Sequence, residues 1–458
     1  MVFNEKILCG LGAELSVTGR LAPEGRERAL RALKRFVALA PGLHVGALAG
    51  VATAAIREAE DGPEFRDQIE RETGIRLSVA SGADEARLAA QGVLFGDPLA
   101  DGLVVDLGGA SMEICPVVRG RPGIGVTTPL GPQRLGEVEG RLEAARRQID
   151  LQLMSEGDRF QRPVHRLYLV GGAWRALGRV QLELSGHPLS VLHEYRFSVA
   201  EALALSKHVL DLDAEELRSV PGVSSGRVVS LPHAALLLER LARHFEPEQG
   251  FSLSGFGLRE GVCYAYLPPA IRTQDPLIST CSGQERTRAR APGFGEELAD
   301  WLLAAYTADS DLEERLVRAA CYLVDVSWRS HPDYRTDACM EVVTRVNVSS
   351  AGHRGRTFIG ACLLNRYKGG RKAMASEPAM TLLTEAQLDR ATQIGALMRL
   401  GCTISGAVPK YLKQCPITVE KGRLVMRPTD EAQVFMGEEV EKRLTQAARL
   451  MGLESRIG

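Results

Sequence analysis

Residues 104–113 read Val-Val-Asp-Leu-Gly-Gly-Ala-Ser-Met-Glu, an apolar run that ends on a carboxylate and passes at once into small residues. A buried strand that delivers Asp106 to its edge can hold a divalent cation on the carboxylate. The backbone N–H groups of Gly108, Gly109 and Ala110 can then turn toward a phosphate. Glycine suits such a turn because a Cβ would block the close approach of an anion. The Ser111 hydroxyl adds a donor and Glu113 a second carboxylate. A small hard cation keeps several waters and takes few protein ligands, so one or two acids suffice for it. Taken alone, Asp-x-Gly-Gly is better explained as a strand followed by an ordinary turn, and Glu113 equally well as an exposed strand residue.

Two further apolar runs end in the same way. Leu167 to Val170 leads into Gly171-Gly172-Ala173, and Phe251 to Ser254 into Gly255-Phe256-Gly257. Helix N-termini behind such turns favour anions, although any strand-to-helix turn uses glycine. Upstream, the Arg57 guanidinium suits either a phosphate or an intradomain salt bridge. Asp84 and Glu85 open a predicted helix, where acids also complement the helix dipole.

The elements that position these groups alternate between helix and strand over the first two-thirds of the chain. Residues 26–40 place Ala29, Leu30, Leu33, Phe36 and Val37 on one helical face. A strand is predicted over Leu43 to Ala49, helices over Thr53 to Glu60 and Pro63 to Glu72, a strand over Ile75 to Val79, and a helix over Asp84 to Val93. Past Pro268-Pro269 helices dominate: Glu296 to Tyr306, Leu312 to Val324 and Glu385 to Leu400. A strand-like pair, Ile417 to Val419 and Leu424 to Met426, precedes a last helix from Gly437 to Met451. Three units follow: an α/β unit over 1–98, a second over 99–268, and a mainly helical unit over 269–458. His353, Arg354, Arg356, Arg366, Lys368, Arg371 and Lys372, with Tyr367 among them, form the densest cationic cluster. It is either a path for a polyanion or a solvated helix face and loop.

At 458 residues the chain exceeds what one hydrophobic core serves. An apolar fraction of 45%, a charged fraction of 25% and a net charge of -1 belong to an ordinary soluble protein and argue against a nucleic-acid binder. The nine cysteines are scattered and never spaced C-x-x-C, which points to a reducing compartment and a cytoplasmic location. No signal peptide is visible, and no apolar run reaches the length of a membrane span. The histidines form no H…HD…D set, so no metal is assigned to the helical unit.

Five segments in order resemble the exopolyphosphatase and guanosine pentaphosphate phosphohydrolase (Ppx/GppA phosphatase) family. Ala52 to Ala59 (ATAAIREA) is similar to its A-T-x-A-x-R-x-A, and Ser81 to Leu88 (SGADEARL) to S-G-x-E-E-A-R-L. Asp106 to Glu113 resembles D-I-G-G-G-S-T-E, Gly171 to Arg175 (GGAWR) resembles G-G-T-x-R, and Gly257 to Gly261 is G-L-R-E-G. Asp325 to Tyr334 (DVSWRSHPDY) is similar to the degenerate HD-like domain of many members. The resemblance implies two actin-like (ribonuclease-H-like) α/β domains with a cleft between them, a helical HD-like C-terminal domain, and a homodimer.

It also implies roles. Glu85 would be the general base, Asp106 with Glu113 the Mg²⁺ ligands, and Arg57, Gly108 to Ser111, Gly171 and Gly172 the phosphate-binding set. Asp84 replaces a glutamate and carries no catalytic role. Ala110 replaces a third glycine, so φ there is expected to be ordinary, and Ala173 stands where threonine is usual. Arg175 and Arg259 are expected in structural or interface roles. The implied activity is Mg²⁺-dependent release of orthophosphate from the ends of inorganic polyphosphate. Removal of the 5′-terminal phosphate of guanosine pentaphosphate by the same residues is the alternative. The family's D-x-G-S-N-S turn occurs nowhere in the 458 residues, and Val2 to Ile7 look like a strand downstream of it. Two expectations follow: a start placed too late, or a weakly catalytic sensor that binds polyphosphate or nucleotide. An actin-like sugar kinase is disfavoured, because it has an acceptor-sugar site in place of the S-G-x-x-E-A-R helix.

Overall fold

The computed structural model describes residues 4–135, 141–157, 159–160, 163–345, 348–367 and 371–458. In the N-terminal part, the helices Pro23–Leu39, Ala54–Glu58 and Gly62–Thr73 surround a parallel pair of strands, β1 (Gly50–Ala52) and β2 (Leu77–Val79). Leu21, Ala52, Ile56, Phe65, Ile69 and Ile75 form its core. Asp61 ties the first turn of this unit together by accepting from the Leu21 N–H at 2.9 Å and from Arg26 at 3.0 Å.

The strand predicted over Leu43 to Ala49 is absent. Residues 43–49 are irregular and exposed, and the chain becomes a strand only where residues 50–52 meet β2. An apolar run without a neighbouring backbone has nothing to ladder with. Residues 4–7 are not a strand either, while Val2 and Phe3 lie outside the described residues.

A second, larger sheet contains β3 (Gly102–Leu107), β4 (Met112–Val118), β5 (Arg121–Pro122), β6 (Val126–Thr128), β7 (Leu167–Val170), β8 (Arg196–Phe197) and β9 (Phe251–Leu253). Their order is β5-β4-β3-β7-β9-β8, with β6 also on β4. The three apolar runs β3, β7 and β9 are adjacent and parallel, so their glycine turns all emerge at one edge. Open α/β sheets bind ligands at such an edge. The antiparallel additions β4 to β6 are not legible as strands in the sequence.

Alternation along β3 sorts its side chains. Leu103, Val105 and Leu107 face the core that holds the helices Gly172–Leu184 and Leu231–Phe245. Val104 faces the opposite way, toward Ala86, Ala89, Ala90, Val93 and Leu94 of the helix Gly82–Gly96. That helix belongs by sequence to the first 98 residues, yet its apolar face packs on the second sheet. The helix Leu258–Tyr266 crosses it at a glycine pair. A Cβ on Gly92 would lie 2.1 Å from the Gly257 oxygen, and one on Gly261 1.8 Å from the Leu88 oxygen.

The C-terminal region is helical, with Pro276–Arg288, Phe294–Leu303, Asp311–Tyr322, Arg335–Thr344, Gly352–Tyr367, Glu385–Ser405 and Glu438–Leu450. Beside them lies a three-stranded sheet of β10 (Ile417–Glu420), β11 (Arg423–Met426) and β12 (Glu454–Ile457). Gly352–Tyr367 runs through the middle of this core, which corrects both readings of its cations, a polyanion path and a solvated helix face. Phe358, Ile359, Cys362 and Leu363 bury the helix on all sides. Arg356 is 1% exposed and donates to the carbonyls of Val343 and Val348. His353 is buried with its Nδ1 2.7 Å from His187 Nε2, while Arg354 is exposed. The Arg366 guanidinium lies 4.2 Å from the Tyr367 ring centre. Lys368 and the side chains of Arg371 and Lys372 lie outside the described residues. Asp325, which opens the DVSWRSHPDY segment, is buried in a bidentate pair with Arg290 at 2.6 and 2.9 Å.

Candidate active site

Ser81 caps the helix Gly82–Gly96 by accepting from the Asp84 N–H at 3.1 Å, and Asp84 returns a bond to the Ser81 N–H at 3.3 Å. This capping box, with the Asp84–Arg87 pair at 3.0 Å, occupies Asp84 fully as a helix-end residue. Glu85, one residue on, points inward and is buried, and its carboxylate pairs with Arg57. The Arg57 guanidinium also donates to the Ala80 carbonyl at 2.7 Å and lies 3.6 Å from Glu58. Burial pushes the Glu85 carboxyl up, Arg57 opposes that, and Glu58 adds to it.

Asp106 and Glu113 are direct partners across the β3–β4 ladder. Such partners share a face, with Cβ atoms about 5 Å apart, and the face is the one that the Glu85 helix covers. The Thr127 hydroxyl of β6 donates to Glu113 at 2.9 Å. A Cβ on Gly82 would lie 2.5 Å from Thr127, so this glycine lets the helix start come down onto Thr127. Glu113 is 4% exposed, which removes the alternative of a solvated strand residue. Burial pushes its carboxyl up, Ser111 and Thr127 oppose that, and Glu85 adds to the shift. The Asp106 carboxyl is pushed up to about 8 by burial, then by Glu113, with Arg175 opposing and Glu85 adding.

Each of these three acids is raised by burial and by a neighbouring carboxylate, with Arg57 and Arg175 opposing. Among the described residues, no group of three or more His, Cys, Asp or Glu converges as a metal cluster. Asp106 and Glu113 remain as a two-carboxylate oxygen set, which fits Mg²⁺ with water in its other positions.

The β3–β4 turn carries part of the expected phosphate set. The Gly108 N–H is spent within the turn on the Ser111 carbonyl at 3.0 Å, a correction to its expected role. Gly109 and Ala110 make no backbone N–H bond among the described residues, and the Gly109 carbonyl is held by the Gln133 N–H at 2.9 Å. Ala110 is absent from the residues with positive φ, as its side chain requires. Ser111 helps hold the Glu113 carboxyl down. Opposite stands Gly171 with φ +120°, where a Cβ would meet the Leu107 oxygen at 2.7 Å and Asp106 Oδ1 at 3.2 Å. Only glycine combines that φ with that proximity.

Arg175 and Arg259, expected in structural or interface roles, line the interdomain cleft with Gly172, Lys6 and Arg227. In the G-L-R-E-G segment, Glu260 bonds the Gly257 N–H at 2.9 Å and Gly261 serves helix packing, which leaves Arg259 to face the cleft. Thr127, Lys6 and Arg227 are missed by sequence reasoning. Thr127 lies on a strand that is not recognised, and the two cations belong to no periodic pattern.

The model of the Ppx/GppA phosphatase family matches residues 1–270, and that of the exopolyphosphatase C-terminal domain matches residues 277–457. The chain belongs to the Ppx/GppA phosphatase family. Retrograde regulation protein 2 of Saccharomyces cerevisiae is 24% identical over 376 residues, which span 74% of this chain and 62% of that protein. Exopolyphosphatase 2 of Mycobacterium tuberculosis is 25% identical over 278 residues, spanning 54% of this chain and 83% of the relative. Exopolyphosphatase 1 of the same species is 30% identical over 120 residues, which span 26% of this chain and 35% of the relative. An exopolyphosphatase structure from Cytophaga hutchinsonii superposes with a TM-score of 0.52 at 23% identity, over 57% of this chain and 88% of that one. The Aquifex aeolicus family member gives 0.50 at 22% identity over 58% and 88%. The fold of the first two domains is therefore the actin-like one, followed by a helical C-terminal region. Among the described residues, no helix is long and apolar enough to cross a membrane.

Proposed function

We propose that the cleft hydrolyses the terminal phosphoanhydride of inorganic polyphosphate and releases orthophosphate. The observation that carries this is the pairing of Asp106 and Glu113 on the sheet face that the Glu85 helix covers, beside the Gly109-Ala110 and Gly171-Gly172 turns. Phosphoryl transfer needs an oriented water, charge neutralisation and in-line positioning. Glu85 takes the proton of the attacking water, and Arg57 fixes the direction of its carboxylate. The free N–H groups of Gly109 and Ala110 bind phosphate oxygens from one side, and the Gly171-Gly172 turn does so from the other. Mg²⁺ on Asp106 and Glu113 would neutralise charge on the transferring phosphoryl group. The same residues serve a guanosine pentaphosphate 5′-phosphohydrolase, and the reading has the protein act as a cytoplasmic homodimer. Phosphate release from polyphosphate and from guanosine pentaphosphate, with Mg²⁺ and with EDTA, tests it. Release from neither substrate overturns it.

A regulatory role, binding polyphosphate or nucleotide with little turnover, is supported by the similarity to Retrograde regulation protein 2 over most of the chain. It predicts ligand binding without phosphate release in the same assay.

A further inference from the structure

The helical C-terminal region meets the second domain at a joint built from one carboxylate and three histidines. The buried Glu194 carboxylate accepts from the backbone N–H groups of Ser350, Ala351 and Gly352, the last two at 3.3 and 2.7 Å. It thereby caps, from another domain, the helix Gly352–Tyr367 that runs through the middle of the helical core. Glu194 itself has φ +63°, a left-handed backbone that a side chain adopts at a cost. Its N–H donates to the Leu253 carbonyl of β9 at 2.8 Å. The residue before it, His193, accepts from the Gly255 N–H through Nδ1 at 3.1 Å. The joint therefore reaches the turn that leads from β9 into the Leu258–Tyr266 helix.

The partners at the joint decide where its hydrogens lie. The His193 carbonyl can only accept, so His353 Nε2, at 3.3 Å, is the donor. A neutral His353 then keeps a lone pair on Nδ1, and His187 Nε2, 2.7 Å away, supplies the one hydrogen between the rings. One added proton can be held on His187 Nδ1 with this bridge intact. A second would set N–H against N–H across 2.7 Å. No nearby acid is free to compensate. From its own helix His353 is faced by Arg354 and the buried Arg356, and from the second domain by His187, His193, Tyr195 and Arg196. Leu316 and Gln387, from the flanking helices, carry no charge. Arg315, which holds the Ser350 carbonyl, is matched by Asp275 at 2.7 Å. Among the described residues Glu194 is the one acid lining this cavity, and its oxygens are spent on three N–H groups. Burial first, then His187 and Arg356, holds the His353 imidazole far below its ordinary value, at about 3.

We propose that Glu194 and the His187–His353 pair form a latch between the second domain and the helical region that acid releases. Separated, the two imidazoles take up two protons near their ordinary value of about 6.5, whereas docked they hold at most one. Docking is therefore complete above about pH 6.5 and weakens at least about tenfold for each pH unit below it. The latch uses none of the cleft residues, so it stands whether or not the cleft hydrolyses polyphosphate.

Hydrogen–deuterium exchange of the full chain at about pH 7.5 and 5.5, corrected for intrinsic rates, reads the latch through the amides of residues 350–352. In wild type their open fraction should rise about tenfold at the lower pH, while the amides of the Glu385–Ser405 helix stay protected. His353→Gln keeps a donor and an acceptor but takes no proton, so its open fraction should change less than about twofold between the two pH values. Glu194→Gln should raise the open fraction at both pH values and keep the ratio between them. Equal wild-type protection at the two pH values overturns the latch, as does a His353→Gln response as steep as that of wild type. Simultaneous loss of protection in the Glu385–Ser405 helix is global unfolding and overturns it too. A ratio lost in Glu194→Gln moves the response to the carboxylate and removes the histidine pair from it. If His353→Gln fails to fold, His187→Gln at a half-buried position decides: a flattened response supports the latch and an unchanged one sinks it.

Discussion

Arg57 and Glu85 form an ion pair between the last turn of Ala54–Glu58 and the first turn of Gly82–Gly96, and the same guanidinium holds the Ala80 carbonyl at 2.7 Å. One side chain thereby fixes both the proposed base and the residue before the N-cap of its helix. Burial favours the neutral form of that carboxyl, and Arg57 opposes it while fixing its direction.

Arg57→Met leaves Glu85 buried without its cation. Its carboxyl then rises further, so the acid limb of the pH–rate profile moves to higher pH. Arg57 is a quarter exposed, so the stability loss is smaller than for a fully buried pair, about 1–2 kcal/mol. Arg57→Lys restores part of both. A pH–rate profile together with urea unfolding checks this, and superimposable acid limbs would count against the pair.

Asp106 gives a pH dependence of stability with a definite sign. Its carboxyl is raised from 3.8 to about 8 in the fold, so the native state holds a proton that the unfolded chain releases near pH 4. This stabilisation is complete below about pH 4 and is lost as pH rises toward 8. In EDTA, Tm of the wild type should therefore fall between pH 5 and 8 more steeply than Tm of Asp106→Asn. Mg²⁺ should raise the wild-type Tm more at pH 8 than at pH 6, because protons compete with the cation. Parallel curves for the two proteins would contradict the assignment.

Gly261→Ala places a Cβ 1.8 Å from the Leu88 oxygen in the helix that carries Glu85. Separating the two helices should cost about 1–3 kcal/mol and lower kcat as well as Tm. Gly186→Ala, with open space around it but φ +58°, should cost about 1 kcal/mol of backbone strain and leave kcat alone. Thermal melts and phosphate release separate the two variants.

Much of the site was legible because it sits where apolar runs break. The runs ending at Asp106, Val170 and Ser254 form the three parallel strands, and their glycines lie at one edge. Residues 43–49 show what such runs leave out, since an apolar stretch becomes a strand only where a partner backbone exists. The cationic residues 353–366 failed for a related reason. Composition does not distinguish a solvated guanidinium from one spent on the carbonyls of Val343 and Val348, as that of Arg356 is. Arg227 left no trace, because its place in the cleft arises from its approach to Gly172 across 55 residues of chain. Gly108 illustrates a finer limit: the motif located the turn but not which N–H groups the turn keeps for itself.

The central claim is that Glu85 activates the attacking water. Malachite-green measurement of phosphate released from polyphosphate, wild type against Glu85→Gln, tests it most directly. Equal far-UV circular dichroism and Tm within a few degrees would establish that both proteins are folded. A fall in kcat of about 10²–10⁴-fold with little change in KM is the predicted result. A rate within about twofold of wild type would contradict it, since a positioned base contributes far more than that.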